Sequence, residues 1–282
     1  MLSDSPRKRP HVIVVGGGFG GMSVVRSLAS SPVDITLVDR RNHHLFQPLL
    51  YEVATAALSP GQIAVPLRHV FRRQKNTTVV LGEVDSVDLD AKQIRVDGDT
   101  MDYDYLVLAT GSTHHYFGND SWEQHAPGLK SVDDALEVRR RFLLTFERAD
   151  RTDDPEERSR FMTTVIVGGG PTGIELAGTM SEVARRVLHG EFRNLDTSSL
   201  RIVLAEGTDR LLPALAPELS ERAKLDLEKL GVDVRVETFV TGIDAHGVTL
   251  KSGEMIPAAN VVWAAGVCGA PVGDGLERFV RR

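Results

Sequence analysis

A glycine-rich run near the start of the chain has the spacing of a loop that binds phosphate groups. It follows the apolar residues VIVV and contains Gly16, Gly18, Phe19, Gly20 and Gly21. In a strand–turn–helix, the first glycine permits the tight turn, the second lets the backbone approach a diphosphate, and the third lets helix and strand pack closely. Free N–H groups at the helix start favour phosphate. The run therefore predicts a dinucleotide-binding loop.

A second run of the same kind lies in the other half of the chain. It follows the apolar residues VIV and contains Gly168, Gly170, Thr172 and Gly173. A lone run of this type is a weak signal, since glycine turns are common. Here each run follows a β-branched strand, opens a helical pattern and precedes a strand that ends in an acid, which is the context that the motif requires.

The acids that end these strands are Asp39 and Glu206. Carboxylates at this place are expected to accept hydrogen bonds from ribose hydroxyls. Asp39 lies 18 residues after the last glycine of its run, whereas Glu206 lies 33 residues after, and we interpret 189–199 as an insertion that explains the excess. Because a carboxylate repels a 2′-phosphate, Glu206 predicts NADH rather than NADPH. Two dinucleotide sites on one chain predict a flavin and a nicotinamide, the second passing hydride to the first.

Further landmarks show that the chain is an internal duplication. Gly168 lies 152 residues after Gly16, Asp244 lies 156 residues after Asp88, and Gly266 lies 155 residues after Gly111. Strands that alternate with helices imply parallel sheets with crossover connections. The predicted fold is α/β, with two tandem Rossmann-like dinucleotide-binding domains, parallel sheets and β-meander insertions.

The same landmarks predict the domain limits. We assign 1–118 to the first segment of an FAD-binding domain, 119–270 to an NADH-binding domain, and 271–282 to the start of a return to the first domain. A connecting helix is predicted over 131–149, with Ser131 as its N-cap. Its apolar face is expected to be formed by the following residues: Ala135, Val138, Phe142 and Phe146.

Composition excludes several classes of protein. The 282 residues suffice for two domains, and 41% hydrophobic with 26% charged residues is a globular composition. A net charge of −6 argues against nucleic acid as a partner. The single cysteine, Cys268, rules out a disulfide framework, a cysteine-based zinc site or a redox pair within the chain. The adjacent histidines do not form a metal-binding pattern, so we expect no metal. We expect a cytoplasmic protein.

The segment DRRNHHLFQPLLYEVATAALSPGQIAVPLRHVF (39–71), with VVGGGFGG, VIVGGGPTGIELAG and EGTDRLLP, resembles the type II NADH dehydrogenases. These are FAD-dependent, non-proton-pumping NADH:quinone oxidoreductases of the pyridine nucleotide-disulfide reductase-like superfamily. The resemblance covers nearly the whole chain. It implies FAD in the first half, NADH in the second, and a peripheral position on the cytoplasmic face of the inner membrane.

The resemblance also implies roles for individual residues toward FAD. The first glycine run would hold the diphosphate, Asp39 the ribose, and Arg40 or Arg41 would lie along the adenine. Gln47, a candidate catalytic residue, and Pro48 would border the isoalloxazine. The remaining contacts would come from the following residues: Val84, Ala109, Thr110 and Gly111.

Toward NADH, the resemblance implies that the second glycine run and Glu206 bind the dinucleotide. Glu175, in the first turn of the second helix, is implied to approach the nicotinamide and flavin. A carboxylate there could orient the nicotinamide or relay the protons that quinone reduction needs. Its alternative role is a helix N-terminal acid that only stabilises the helix.

The resemblance further implies a quinone acceptor, contact with the membrane surface and a homodimer as partners. Compared with the family, we expect the chain to be short at its C-terminal end. Gly273-Asp274 is predicted to be a loop rather than the return strand, and the anchor region is expected to lie beyond it. We therefore expect the first half to expose an apolar face and a sheet edge, and we expect weak retention of FAD with better retention of NADH binding. Two alternatives remain: a non-catalytic dinucleotide-binding fragment or redox sensor, and an NADH-dependent reductase of a ferredoxin-like protein.

Overall fold

Short runs rich in valine and isoleucine form buried strands, and the amphipathic stretches between them form helices. A computed structural model describes residues 9–273. The α-helices in this range are α1 (Phe19–Ser27), α2 (Leu50–Ala54), α3 (Pro60–Ile63), α4 (Leu67–Phe71), α5 (Val132–Arg151), α6 (Pro155–Phe161), α7 (Pro171–Glu182) and α8 (Pro217–Lys229). The strands are β1 (His11–Val15), β2 (Asp34–Asp39), β3 (His43–Leu45), β4 (Ala64–Pro66), β5 (Thr77–Leu81), β6 (Val84–Asp88), β7 (Gln93–Val96), β8 (Asp99–Asp102), β9 (Tyr105–Leu108), β10 (Ser112–His114), β11 (Thr163–Val167), β12 (Arg201–Ala205), β13 (Val232–Arg235), β14 (Val240–Asp244), β15 (Gly247–Leu250), β16 (Met255–Pro257), β17 (Asn260–Trp263) and β18 (Val267–Gly269).

The described chain divides into two compact units. The first comprises residues 9–46, 61–113 and 268–273, and the second comprises 47–60 and 114–267. The assignment of an FAD-binding segment to 1–118, an NADH-binding domain to 119–270 and a return segment to 271–282 stays a prediction. Most of the predicted return segment, including Asp274, lies outside the described residues.

The first unit contains a parallel sheet with strand order β5-β2-β1-β9. Strand β1 is buried over its whole length, as the β-branched sequence requires of a central strand. On one face, Val12, Val14 and Leu37 pack with residues of α1 and α4. On the other face, Ile13 and Val15 pack under the strands β6 to β8.

The second unit contains a parallel sheet of equivalent order, β13-β12-β11-β17. Strand β11 is also buried throughout. Its Val165 and Val167 pack in a cluster with Trp263 at the end of β17 and Val248 of β15. The second parallel sheet therefore packs against the strands β14 to β16, as the first packs against β6 to β8.

An antiparallel meander is inserted in each unit before the last strand of the sheet, β6-β7-β8 in the first and β14-β15-β16 in the second. Both meanders change register at the start of the first strand, between Val84 and Ser86 and between Val240 and Gly242. The duplication therefore extends to a shared bulge. The predicted α/β class, with two parallel sheets and meander insertions, is confirmed.

The predicted connecting helix is α5, and its first turn has a capping box. The Ser131 side chain accepts from the N–H of Asp134, and the Asp134 carboxylate accepts from the N–H of Ser131. The four residues predicted to form its apolar face are buried. The N-cap and the buried face of this helix are confirmed.

Strands at corresponding places differ in how well they are covered. All four residues of β17 are buried, whereas Tyr105 is 62% and Leu108 is 37% exposed on β9. The exposed apolar face and sheet edge that we expect in the first half stay a prediction, because most of the return segment lies outside the described residues. None of the described helices is long and apolar enough to cross a membrane. Residues 9–273 also contain no cluster of three or more potential metal-binding side chains.

Candidate functional site: two glycine loops with their carboxylates

The first glycine loop has a backbone that only glycine can adopt. Gly16 has φ +105°, and a Cβ there would collide with the carbonyl group of Ala109. A Cβ on Gly21 would collide with the carbonyl oxygen of Gly16. The loop therefore packs against itself and against the residue that follows β9.

The middle of this loop is open. A Cβ on Gly18 would meet no atom within 4 Å, and no side chain caps the helix α1 that starts after it. The first N–H groups of the helix are thus left for an external partner. Open space beside uncapped N–H groups fits a diphosphate.

Asp39 closes the loop from the end of β2. Its Oδ2 accepts the N–H of Gly17 at 2.5 Å, and its Oδ1 accepts the N–H of Arg41 at 2.6 Å. The N–H of Gly82 donates to the Asp39 carbonyl at 3.0 Å. Asp39, the acid that we predict to bind the ribose, therefore lies beside the glycine loop at the carboxyl end of β2.

The remaining predicted residues of the first unit lie at or near this end of the sheet. The phenyl ring of Phe19 packs edge-on against His44, with ring centroids 4.9 Å apart. Ala109 donates its N–H to the carbonyl of Val15 at 2.8 Å, and Gly20 lies beside its side chain. The other predicted residues are Arg40, which pairs with Glu83, Val84, which starts β6, and Thr110 with Gly111, which follow β9.

The second loop repeats this geometry. Gly168 has φ +112°, and a Cβ there would crowd Ala264, which follows β17. A Cβ on Gly173 would collide with the carbonyl oxygen of Gly168. Gly170 faces open space, and no side chain caps the helix α7, in whose first turn Thr172 lies. This loop also fits a diphosphate.

Glu206 occupies the place of Asp39 in the second unit. Its Oε2 accepts the N–H of Gly169 at 2.5 Å. Its Oε1 accepts both the N–H and the hydroxyl of Thr208 at 2.8 Å. The structure therefore brings the second predicted acid to its glycine loop, across the insertion that separates them in sequence.

The prediction that Glu175 lies in the first turn of its helix is wrong, because it is the fifth residue of α7 and the first turn of that helix contains no acid. Helix α2, in the same unit, packs against α7. The side chain of Glu175 is exposed overall, but partial burial of the carboxyl group raises its pKa. Tyr51, on α2, interacts electrostatically with Glu175. Its hydroxyl donates a hydrogen bond to Glu52 at 3.2 Å. Burial raises the pKa of Tyr51 most, followed by its hydrogen bond to Glu52 and then by the negative charges of Glu52 and Glu175. The raised pKa of Glu175 makes its carboxyl group easier to protonate than a fully solvated glutamate.

Gln47 and Pro48 form a short 3₁₀ helix that belongs to the second unit. Both are exposed, and the Gln47 amide donates to the carbonyl of Lys130 at 3.5 Å. Their predicted place beside a flavin stays a prediction.

Sequence reasoning missed three residues around Glu206: Gly207, Thr208 and Phe239. Thr208 supplies the hydroxyl that Glu206 accepts, and the ring of Phe239 lies against Gly207. A signal for Phe239 was present, because it lies 156 residues after Glu83, the same offset that joins Asp88 to Asp244.

Comparisons with known proteins agree with this geometry. Residues 10–278 match the family described as pyridine nucleotide-disulphide oxidoreductase. The chain is 43% identical to the type II NADH:quinone oxidoreductase Ndh of Mycobacterium tuberculosis, over 98% of this chain and 61% of that protein. It is 31% identical to the type II NADH:quinone oxidoreductase of Haemophilus influenzae, over 95% of this chain and 67% of that protein.

A solved structure with the same fold is that of NDH2 from Plasmodium falciparum in complex with NADH. The TM-score is 0.87 at 24% identity, over 94% of this chain and 56% of that one. The chain thus spans about 60% of the length of the mycobacterial relative.

Proposed function

Because the chain belongs to the pyridine nucleotide-disulphide oxidoreductase family, and within it to the type II NADH:quinone oxidoreductases, we propose that it takes part in non-proton-pumping NADH oxidation. In this proposal the first unit binds FAD and the second binds NADH. Hydride passes from NADH to the flavin, and the electrons then pass to a quinone. The family membership rests on the match over residues 10–278.

The observation that carries this proposal is the pair of equivalent loops. Each combines a glycine backbone, an open face at Gly18 or Gly170, and a carboxylate anchored to the loop. One such site would serve a single dinucleotide. Two sites supply what a hydride transfer between a nicotinamide and a flavin requires.

When bound, FAD supplies the chemistry that accepts a hydride and releases electrons to a second acceptor. The residues of the first unit that would hold it are the loop from Gly16 to Gly21, with Asp39 at the ribose. Arg40, Val84 and the residues after β9 would line it.

Toward NADH, Gly170 and the start of α7 would hold the diphosphate, and Glu206 the adenosine ribose. A carboxylate at this place disfavours the 2′-phosphate of NADPH, so NADH is the proposed donor. Glu175 would lie toward the nicotinamide end, and its raised pKa makes it a candidate to orient the nicotinamide or to relay protons.

The proposed acceptor is a quinone, reached by peripheral attachment to the cytoplasmic face of the inner membrane. The homology to quinone reductases supports this acceptor over a ferredoxin-like protein. A homodimer stays a prediction.

The test is steady-state NADH oxidation by the purified chain supplemented with FAD, using a short-chain ubiquinone, a ferredoxin or no acceptor. We expect oxidation that depends on both FAD and quinone and is faster with NADH than with NADPH. Turnover with ferredoxin but not with quinone would contradict the proposed acceptor. NADH binding with no turnover on any acceptor would instead favour a non-catalytic dinucleotide-binding protein.

A further inference from the structure

An exposed aromatic side chain stands next to the carboxylate of the second glycine loop. Phe239 lies between β13 and β14 and is 59% exposed. An isolated exposed apolar residue is ordinary on a protein surface. It is the position of this ring beside Glu206, rather than its exposure, that indicates a role in binding.

Backbone hydrogen bonds hold Phe239 and its neighbours beside Glu206. The N–H of Thr238 donates to the Glu206 carbonyl at 2.8 Å, and the N–H of Glu237 donates to the Thr208 carbonyl at 2.7 Å. On the other side, the Phe239 carbonyl accepts the N–H of Lys251 at 2.8 Å. The place of the ring is therefore set by the backbone on both sides.

The ring lies over a residue that has no side chain. A Cβ built on Gly207 would stand 3.0–3.3 Å from three ring carbons of Phe239. Any other residue at position 207 would push the ring outward. Gly207 directly follows Glu206, so the ring is next to the acid that would hold a ribose.

The corresponding positions of the first unit also face each other, but with different chemistry. There the N–H of Gly82 donates to the carbonyl of Asp39, as Thr238 does to Glu206. The next residue in each strand end is Glu83 in the first unit and Phe239 in the second. Glu83 pairs with Arg40 at 3.6 Å, at the place where Phe239 meets Gly207.

In an adenine dinucleotide, the base is attached to a ribose, and the hydroxyls of that ribose donate hydrogen bonds to an acid such as Glu206. The base therefore extends from that ribose toward the residues that surround the acid. Aromatic side chains stack on bases through their π-faces. We propose that Phe239 is the stacking platform for the adenine of the dinucleotide bound by the second unit. The inference rests on the proposed assignment of NADH to that unit.

The occupant is a small planar group rather than a protein surface. Phe239 follows the polar residue Thr238 in the chain, and its carbonyl accepts the N–H of the charged residue Lys251. An exposed ring on a backbone that is tied at both sides suits a flat ligand, because stacking then requires little ordering of the protein.

The experiment compares ligands that have or lack adenine. Dissociation constants of NADH and of reduced nicotinamide mononucleotide are measured by energy transfer from the two tryptophans, Trp122 and Trp263, which both lie in the second unit. ADP-ribose, which lacks nicotinamide, is measured by competition. The variants are Phe239→Ala, Phe239→Leu and Phe239→Tyr, and thermal unfolding of each verifies that it is folded.

We expect Phe239→Ala to weaken the binding of NADH and of ADP-ribose by roughly 5- to 150-fold, the range that loss of one base–aromatic stack gives. Reduced nicotinamide mononucleotide should bind Phe239→Ala as it binds the unaltered chain. Phe239→Tyr should retain affinity within about twofold, because the ring is kept. Phe239→Leu should lose most of what Phe239→Ala loses, although it stays apolar.

Equal loss for all three ligands would overturn the inference, since it would mark a general disturbance of the loop. Unchanged NADH affinity in Phe239→Ala would also overturn it, while leaving the proposed function intact. An unaltered chain that binds neither NADH nor ADP-ribose would contradict the proposed function itself, and the inference with it. If Phe239→Ala fails to fold, the comparison of Phe239→Leu with Phe239→Tyr decides the matter.

Discussion

The two glycine loops share a backbone and differ in the residues around the carboxylate. Gly16 and Gly168 have φ values of +105° and +112°, and in both loops the acid accepts the N–H of the next glycine at 2.5 Å. Around that common frame, the first unit places an ion pair, Arg40 with Glu83. The second unit places an aromatic ring over a bare backbone, at Phe239 and Gly207.

This contrast separates two tasks of a dinucleotide site. The diphosphate is the same in FAD and NADH, and the first, third and last glycines of the loop that would hold it are present in both units. The adenosine is also common to both dinucleotides, yet the side chains next to the acid differ between the two units. Glu206 also gains a hydroxyl donor from Thr208, whereas the second donor to Asp39 is the backbone of Arg41. A duplicated site that later specialised is expected to keep the backbone of its glycine loop and to change the side chains next to its acid.

The largest expected effect is a loss of stability when a side chain is placed where the first and last glycines of a loop touch. Gly173→Ala would place a Cβ against the carbonyl oxygen of Gly168, which is backbone and has little room to move. We expect the second unit to lose about 3 kcal/mol or more of unfolding free energy. Urea unfolding followed by tryptophan fluorescence measures this, since both tryptophans lie in that unit. An unaltered midpoint would show that the described loop geometry is wrong.

A smaller effect on stability, but a clear one on binding, is expected at the open glycine. Gly170→Ala should leave unfolding within about 0.5 kcal/mol, because its Cβ would meet no protein atom. It should weaken NADH by more than about tenfold, because the backbone could no longer approach a diphosphate. Gly18→Ala is the matched control, and it should lower FAD content without changing NADH affinity. Loss of NADH binding in Gly18→Ala instead would reverse the assignment of the units.

Next in size is the choice between NADH and NADPH. Glu206→Gln removes the negative charge while it keeps one acceptor oxygen, so NADH should bind about tenfold more weakly. NADPH should be affected less or should bind better, since its 2′-phosphate no longer faces a carboxylate. The ratio of the two dissociation constants is the measurement, and a ratio equal to that of the unaltered chain would exclude Glu206 from the ribose site. Asp39→Asn should leave that ratio as it is.

The smallest expected effect is a pH-dependent change in stability at Glu175. Its folded pKa is raised by partial burial, so ionisation opposes folding and this cost grows as the pH rises through the folded pKa. Glu175→Gln should raise the melting temperature at neutral pH by on the order of 1 °C. The gain should vanish at acidic pH, where the carboxyl group is protonated in both states. An equal gain at both pH values would show that the effect is not electrostatic.

The backbone of both sites could be predicted from the sequence, whereas the residues at their rims could not. Three glycines at this spacing after a β-branched strand predict the loop, because each has a defined role in the turn between strand and helix. The acid at the strand end follows from the same pattern. Phe239, in contrast, is distant from Glu206 in sequence, and its place depends on the return of β13 to the sheet. Only the offset of the duplication, which pairs it with Glu83, links it to the site.

The raised pKa of Glu175 could not be predicted either. Its place in the first half of α7 follows from the helical pattern, but its partial burial depends on how the residues around it pack. The short segment 47–60 is separated from the rest of its unit in sequence, and no periodicity indicates which helices α2 contacts. Contacts of this kind arise from tertiary packing.

The most direct test of the account is anaerobic reduction of the chain loaded with FAD. A stoichiometric amount of NADH is added, and the visible absorbance of the flavin is followed together with the near-ultraviolet absorbance of NADH. We predict that the flavin bleaches as NADH disappears, mole for mole, and that Gly170→Ala with the same FAD content bleaches far more slowly. Binding of both dinucleotides without bleaching would contradict the proposal that the two loops serve one hydride transfer.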